Sequence, residues 1–350
     1  MQSTKISIYT ERYTLVRLGL NAEFKNGRIL KQLFKNANII LMMAKEELDG
    51  LWEDSESDIR KFCEANDLPK PDCDDFWEDL RTRPLLCIEK DPTALWILDI
   101  SDENIKRFRE YLGIWMVNTS QIKDDAFSLE HKSKIYRREE CIPGSKDNGY
   151  GNFFNTMDKP FPPMNSIVLN DRFLFVVEND EIDPTKVFNW GAKNVLSLFN
   201  EVLPEKLGVP FHIFIYAFPP KIKNHDEKLK LIDELCDKIK KLRENYEIEV
   251  ELVLRRAEHE RFFLSNYFQI TVDLGYNTFN VNSMTKLIKK NSLGIQSYLR
   301  NTSGIDYENM KIRLEDIQNE IIDERRKNKG NVFTTHETTF HNRLFPNLCN

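Results

Sequence analysis

The chain contains no run of about 18 apolar residues, the length a helix needs to cross a bilayer. Its opening MQSTKISIYTERYT lacks the charged-then-apolar order of a secretory leader. The expectation is a soluble protein that stays in the cytoplasm and touches no membrane. Cys-x-x-Cys pairs are missing too: Cys63, Cys73, Cys87, Cys141, Cys236 and Cys349 lie scattered, which argues against a zinc ribbon and a disulfide framework and leaves free thiols. Also absent are a phosphate-loop motif, a dinucleotide fingerprint and a His-Glu-x-x-His zinc signature. No cofactor and no metal is therefore expected, and nucleotide hydrolysis by this chain alone is disfavoured.

What is present describes an ordinary globular chain. At 350 residues it is longer than one typical domain, and it pairs 30% charged residues for a solvated surface with 11% aromatics for an interior. The net charge of −6 is unevenly spread. Residues 40–110 hold 20 Asp and Glu against 10 Lys and Arg, whereas residues 255–343 hold 14 Lys and Arg against 11 acids. An anionic ligand such as nucleic acid would find its counter-charge in the C-terminal part. Glu46, Glu47, Asp49, Glu53 and Asp54 read as a solvated helix face rather than metal ligands.

The order of elements predicts an α/β fold with two main parts. In the first, apolar runs at 38–44, 84–88, 94–100 and 114–118 read as strands, with an acidic helix over 45–66 and a helix opening at Ser101 and stopped by Gly113. The pattern loosens over 121–163, where Pro143-Gly144-Ser145-Lys146-Asp147-Asn148-Gly149-Tyr150-Gly151 is the richest turn-forming stretch, readable as a linker or as a lid. In the second part, 165–177 reads as a hairpin turning at Asn170-Asp171. A helix over 184–202, a buried strand at 211–217, an amphipathic helix over 226–245 and a strand at 247–255 follow. Further strands are expected at 261–264 and 267–274, a turn at Gly275, and a charged helix over 307–329. The domains expected are an acidic N-terminal α/β domain (1–120), the linker or lid (121–163), a three-layer α/β domain (164–304) with helices on both faces of its sheet, and a C-terminal helix and tail (305–350).

The strand at 247–255 leads into Ala257-Glu258-His259-Glu260-Arg261, then, after four residues, Asn266, with Gly275 nine residues further on. This constellation resembles the phospholipase D superfamily, whose motif is His-x-Lys-x4-Asp at the end of a sheet. It is most similar to the non-catalytic phospholipase D-like domain at the C-terminus of MIT-domain proteins, over roughly Pro162 to Gly304. The resemblance implies a His nucleophile at His259, a phosphate grip at Arg261, and Asn266 where an acid would support the imidazole. Asn266 is neutral, so the site suits holding phosphate better than cleaving it. The second histidine such a mechanism needs has one counterpart of the same pattern, His341 in His341-Asn342-Arg343. His212, inside an apolar strand, reads as a core histidine.

Arg255, Arg256, Lys289 and Lys290 join Arg261 as candidate phosphate or nucleic-acid contacts, being interleaved with Phe262, Phe263, Tyr267 and Phe268; the same aromatics also read as core. Three functions are carried forward. The first is a non-catalytic or weakly catalytic phospholipase D-like module that binds nucleic acid or a partner protein within a larger bacterial, anti-phage type of assembly, a setting implied by the resemblance alone. The second is a metal-independent nuclease or phosphodiesterase with His259 as nucleophile. The third is a structural adaptor whose acidic N-terminal domain docks a basic partner.

Overall fold

A computed structural model of the chain describes residues 5–21, 24–25, 28–75, 83–122, 135–136, 149–154, 161–175, 191–220, 222, 224–254, 261–272, 275–276, 278–279, 293–298, 304–326 and 342–345. They fall into two compact units, Met1–His131 with Ser297–Arg313, and Lys132–Gln296 with Leu314–Asn350. The chain is thus α/β throughout, and the stretch expected as a linker or lid is shared between the units.

Unit one is built on a parallel sheet whose strands are β1 (Ser7–Thr10), β2 (Asn38–Leu41), β3 (Asp72–Cys73), β4 (Leu95–Ile97) and β5 (Trp115–Val117), in the order β3-β2-β1-β4-β5. Around the strands run α1 (Arg12–Leu20), α2 (Arg28–Asn36), α3 (Lys45–Glu53), α4 (Asp58–Asn66), α5 (Leu86–Lys90) and α6 (Asp102–Leu112). Parallel strands need such crossovers, and covering both faces explains why the strands read as unbroken apolar runs, Asn-Ile-Ile-Leu and Leu-Trp-Ile, rather than alternating ones. Tyr9 stacks on Trp96 across β1 and β4 with ring centroids 4.3 Å apart. Strand order reverses at β1, so right-handed crossovers send the helices to opposite faces and leave a crevice at the carboxyl ends of β1 and β4. The cap readings hold: Ser101 accepts a hydrogen bond from the Asn104 amide, and Gly113 closes α6 at φ 64°.

Unit two has a seven-stranded mixed sheet. Its strands are β6 (Ile135–Tyr136), β7 (Ser166–Asp171), β8 (Phe211–Ala217), β9 (Ile248–Leu254), β10 (Phe262–Ser265), β11 (Phe268–Val272) and β12 (Leu293–Ser297), in the order β6-β12-β11-β10-β7-β8-β9. β7, β8 and β9 are parallel, while β10 runs antiparallel to both β7 and β11. Helices α7 (Gly151–Phe154), α8 (Lys193–Val202), α9 (His225–Lys240) and α10 (Ile305–Arg326), the last divided between the units after Arg313, complete the described elements. Two crossovers stepping in one direction put α8 and α9 on one face. The ring of Phe199 in α8 lies 6.4 Å from Phe263, which pairs with Leu169 on the Ile213–Ile215 side of the sheet. The opposite face of β8 meets the C-terminal residues: the Tyr216 hydroxyl donates to Glu320 at 2.8 Å, and Phe214 packs edge-on against Phe345.

Several expectations are corrected. Residues 84–88 do not form a strand: α5 spans Leu86–Lys90, and a short apolar run carries no periodicity that tells a buried helix from a strand. The acidic helix is two helices, broken where Asp54 accepts the amides of Ser57, through its carbonyl, and Glu56, through its carboxylate. Asn170 and Asp171 are strand residues rather than the turn of a hairpin, and β7 pairs with β8 and β10. The turn follows over 172–175, with the Asp171 carboxylate accepting the Phe173 amide. Within the turn-rich segment Tyr150 and Phe154 are fully buried, and the Tyr150 hydroxyl donates to the Tyr276 carbonyl at 2.9 Å. Large apolar surface outweighs local turn propensity there.

Candidate anion-binding site at the carboxyl edge of the second sheet

Parallel strands β7 and β8 end together, with Asp171 paired to Ala217. Antiparallel β10 starts at the same edge, because Phe262 pairs with Asn170. Register alone therefore brings Arg261, one residue before β10, beside Asp171 and Arg172, distant in sequence. The Arg261 guanidinium lies 4.3 Å from the ring centre of Phe173. That of Arg172 lies 5.5 Å from the same ring and 5.0 Å from Phe218, the residue after β8. Two cations thus share one aromatic ring.

Asp171, next to Arg172 in the chain and felt electrostatically by Arg261, is fully buried. Burial draws the Arg261 guanidinium below its ordinary value; the Asp171 carboxylate opposes that and neighbouring Arg172 adds to it. Burial, reinforced by Asp171, also pushes the enclosed phenols of Tyr150 and Tyr276 up. Two glycines permit the arrangement. At Gly275, φ is 87°, and a Cβ would come within 3.0 Å of the Phe173 ring and 3.4 Å of Arg261 Cδ. At Gly191, a Cβ would lie 2.4 Å from the carbonyl oxygens of both Phe173 and Leu174, so only glycine lets the entry to α8 close on the turn that carries the site.

Arg261 and Asn266 are not brought together. They flank the four-residue β10 at opposite ends, roughly 16 Å apart at ~3.3 Å per residue. Asn266 is completely buried; its Oδ1 accepts the amides of Asn165 at 2.9 Å and Ser166 at 3.1 Å, and its Nδ2 donates to Asn165 Oδ1. Its amide therefore fastens the β10–β11 turn to the start of β7. Arg343 lies at that same amino edge, donating to the carbonyls of Asn165 and Pro210. His212 lies on β8, its Nε2 3.5 Å from Glu249. His259, His341, Arg255, Arg256, Lys289 and Lys290 lie outside the described residues.

Arg172, Phe173 and Phe218 were not singled out in the sequence as site residues. The available signal was the end of a buried strand, where Ile-Val-Leu turns abruptly to Asn-Asp-Arg. Unit one offers a contrasting edge. There the Glu11 carboxylate accepts both the Thr14 hydroxyl and the Asp99 amide at 2.9 Å, Arg17 pairs with Asp99, and Asn118 donates to the Ile100 carbonyl and to Asp102.

Among the described residues no three His, Cys, Asp or Glu side chains gather to hold a metal ion, and no helix is long and apolar enough to cross a membrane. Compared with known proteins, the chain matches no family model and no curated protein.

Proposed function

We propose that unit two binds the phosphate backbone of single-stranded nucleic acid at the carboxyl edge of β7 and β8, as a phospholipase D-like module that holds phosphate rather than cleaves it. The observation carrying this reading is the convergence of Arg172 and Arg261 over Phe173. Both guanidinia lie within 5.5 Å of one ring, Arg172 adds to the lowering of the Arg261 value, and a phosphodiester would offer its oxygens to the planar donors of each. Stacking on Phe173 limits the side-chain freedom that binding would otherwise have to remove. Binding without cleavage is favoured because Arg261 and the Asn266 amide lie at opposite ends of β10, with that amide engaged by the backbone of Asn165 and Ser166.

Fluorescence anisotropy with labelled single-stranded RNA and DNA, titrated across salt concentrations, tests this. The Arg172→Ala and Arg261→Ala variants should each weaken binding for all sequences alike and lower the slope of log K against log salt by ~0.7 for each phosphate that is no longer neutralised. Unchanged affinity in the double variant would overturn the proposal. The same samples distinguish hydrolysis: cleavage that persists in EDTA and vanishes in His259→Ala would replace binding by catalysis.

A further inference from the structure

Within unit two, the four residues Asn342-Arg343-Leu344-Phe345 pack on the sheet through contacts of the kind that hold a peptide ligand. Asn342 donates its backbone amide to Glu251 Oε2 at 3.2 Å and its Nδ2 to the Ile167 carbonyl at 2.9 Å and, more weakly, to the His212 carbonyl at 3.4 Å. Its Oδ1 accepts the Leu344 amide, and its carbonyl accepts that of Phe345, which folds the four residues into a tight turn. Arg343 caps the Asn165 and Pro210 carbonyls at 3.2 and 2.7 Å. Burial draws its guanidinium down to about 10, an effect that Glu249 opposes. Phe345 meets Phe214 edge-on with centroids 4.9 Å apart, and Leu344 and Phe345 are both buried.

The receiving surface is as particular as the ligand. It is the face of β8 and β9 that carries His212, Phe214, Glu249 and Glu251, opposite the face covered by α8 and α9. Glu251 is only 3% exposed in mid-strand, a placement that would be costly for a carboxylate without donors. One of its donors is the Asn342 amide. The segment is engaged from side chains to strand carbonyls and from ring to ring, so it is held by its sequence rather than by adding a strand to an edge.

We propose that this face of β8 and β9 is a peptide-binding site for the sequence Asn-Arg-Leu-Phe, which holds Asn342–Phe345 as a separable ligand and exchanges it for the same segment of a second copy of this chain. The claim is independent of nucleic-acid binding at the opposite edge of the sheet.

The test uses the full chain with a specific protease site introduced within 328–340 and cut after folding. The released C-terminal fragment should co-elute with the body of the protein. A fluorescein-labelled synthetic peptide spanning 340–347 should then exchange into the cut complex. Peptides bearing Asn342→Ala or Phe345→Ala should compete about tenfold or more weakly than the parent. The first removes the Nδ2 donor from buried strand carbonyls and the Oδ1 that holds the turn, and the second leaves a cavity on Phe214. Placing the substitutions in the peptide leaves folding of the body untouched. Separation of the fragment on cutting, failure of the peptide to exchange, or equal competition by the substituted peptides would each overturn the proposal.

Discussion

The two sheets both end in a carboxyl edge, and the edges are finished differently. At the edge of unit one, polar groups are spent on one another: Glu11 ties the β1–α1 turn to the end of β4, and Arg17 pairs with Asp99. At the edge of unit two, Arg172 and Arg261 carry like charge and lean on the same ring, next to a buried Asp171. The contrast teaches that topology brings strand ends together in both units and that side-chain charge then makes the edges chemically different. At the first edge an acid stands beside a base, whereas at the second two guanidinia gather near one ring next to a buried acid.

The largest blow to that difference should come from Gly191→Ala. Its Cβ would overlap two backbone carbonyls at 2.4 Å, and backbone cannot yield as a side chain does. Chemical denaturation should show unit two losing about 3 kcal/mol, together with loss of nucleic-acid binding as the Arg172–Phe173 turn is displaced. Retention of both would mean that the turn does not set the geometry of the site.

Asn266→Ala should cost about 2 kcal/mol, because two buried amides lose their acceptor. Since Asn266 faces the opposite end of β10, the folded fraction should bind nucleic acid with unchanged affinity. A fall in affinity at unchanged stability would instead return Asn266 to the site. Smallest of all should be Arg17→Ala in unit one. The Arg17–Asp99 pair is half exposed, so denaturation should register less than about 0.5 kcal/mol and anisotropy no change at all.

Most of the element order was legible in the sequence. The buried strands at 211–217 and 248–254, the helix whose stripe Ile232, Leu235 and Ile239 is buried while Leu229, read as part of the same stripe, is exposed, and the cap at Ser101 announce themselves through periodicity and capping chemistry. Failures arose where local and tertiary forces disagree. Leu86–Lys90 is too short for its period to be read, and Tyr150 sits among turn formers yet is drawn wholly into the core. Of the candidate site, Arg261 was legible because it belongs to a local motif. Its companions Arg172 and Phe218 were not, since each stands at the end of a different strand.

By itself the sequence determined an α/β chain, an uneven charge, and an arginine, Arg261, just before a strand, because these depend on side-chain pattern over a few neighbouring positions. Only the tertiary structure decided that Arg261 meets Arg172 rather than Asn266. Antiparallel pairing of β10 with β7 aligns the start of one strand with the end of the other, and strand length keeps the two ends of β10 apart. The same tertiary arrangement put Asn342 and Arg343 at the other end of β7, where they donate to the carbonyls of Ile167 and Asn165, a meeting of residues 175 and more positions apart that no local pattern announces.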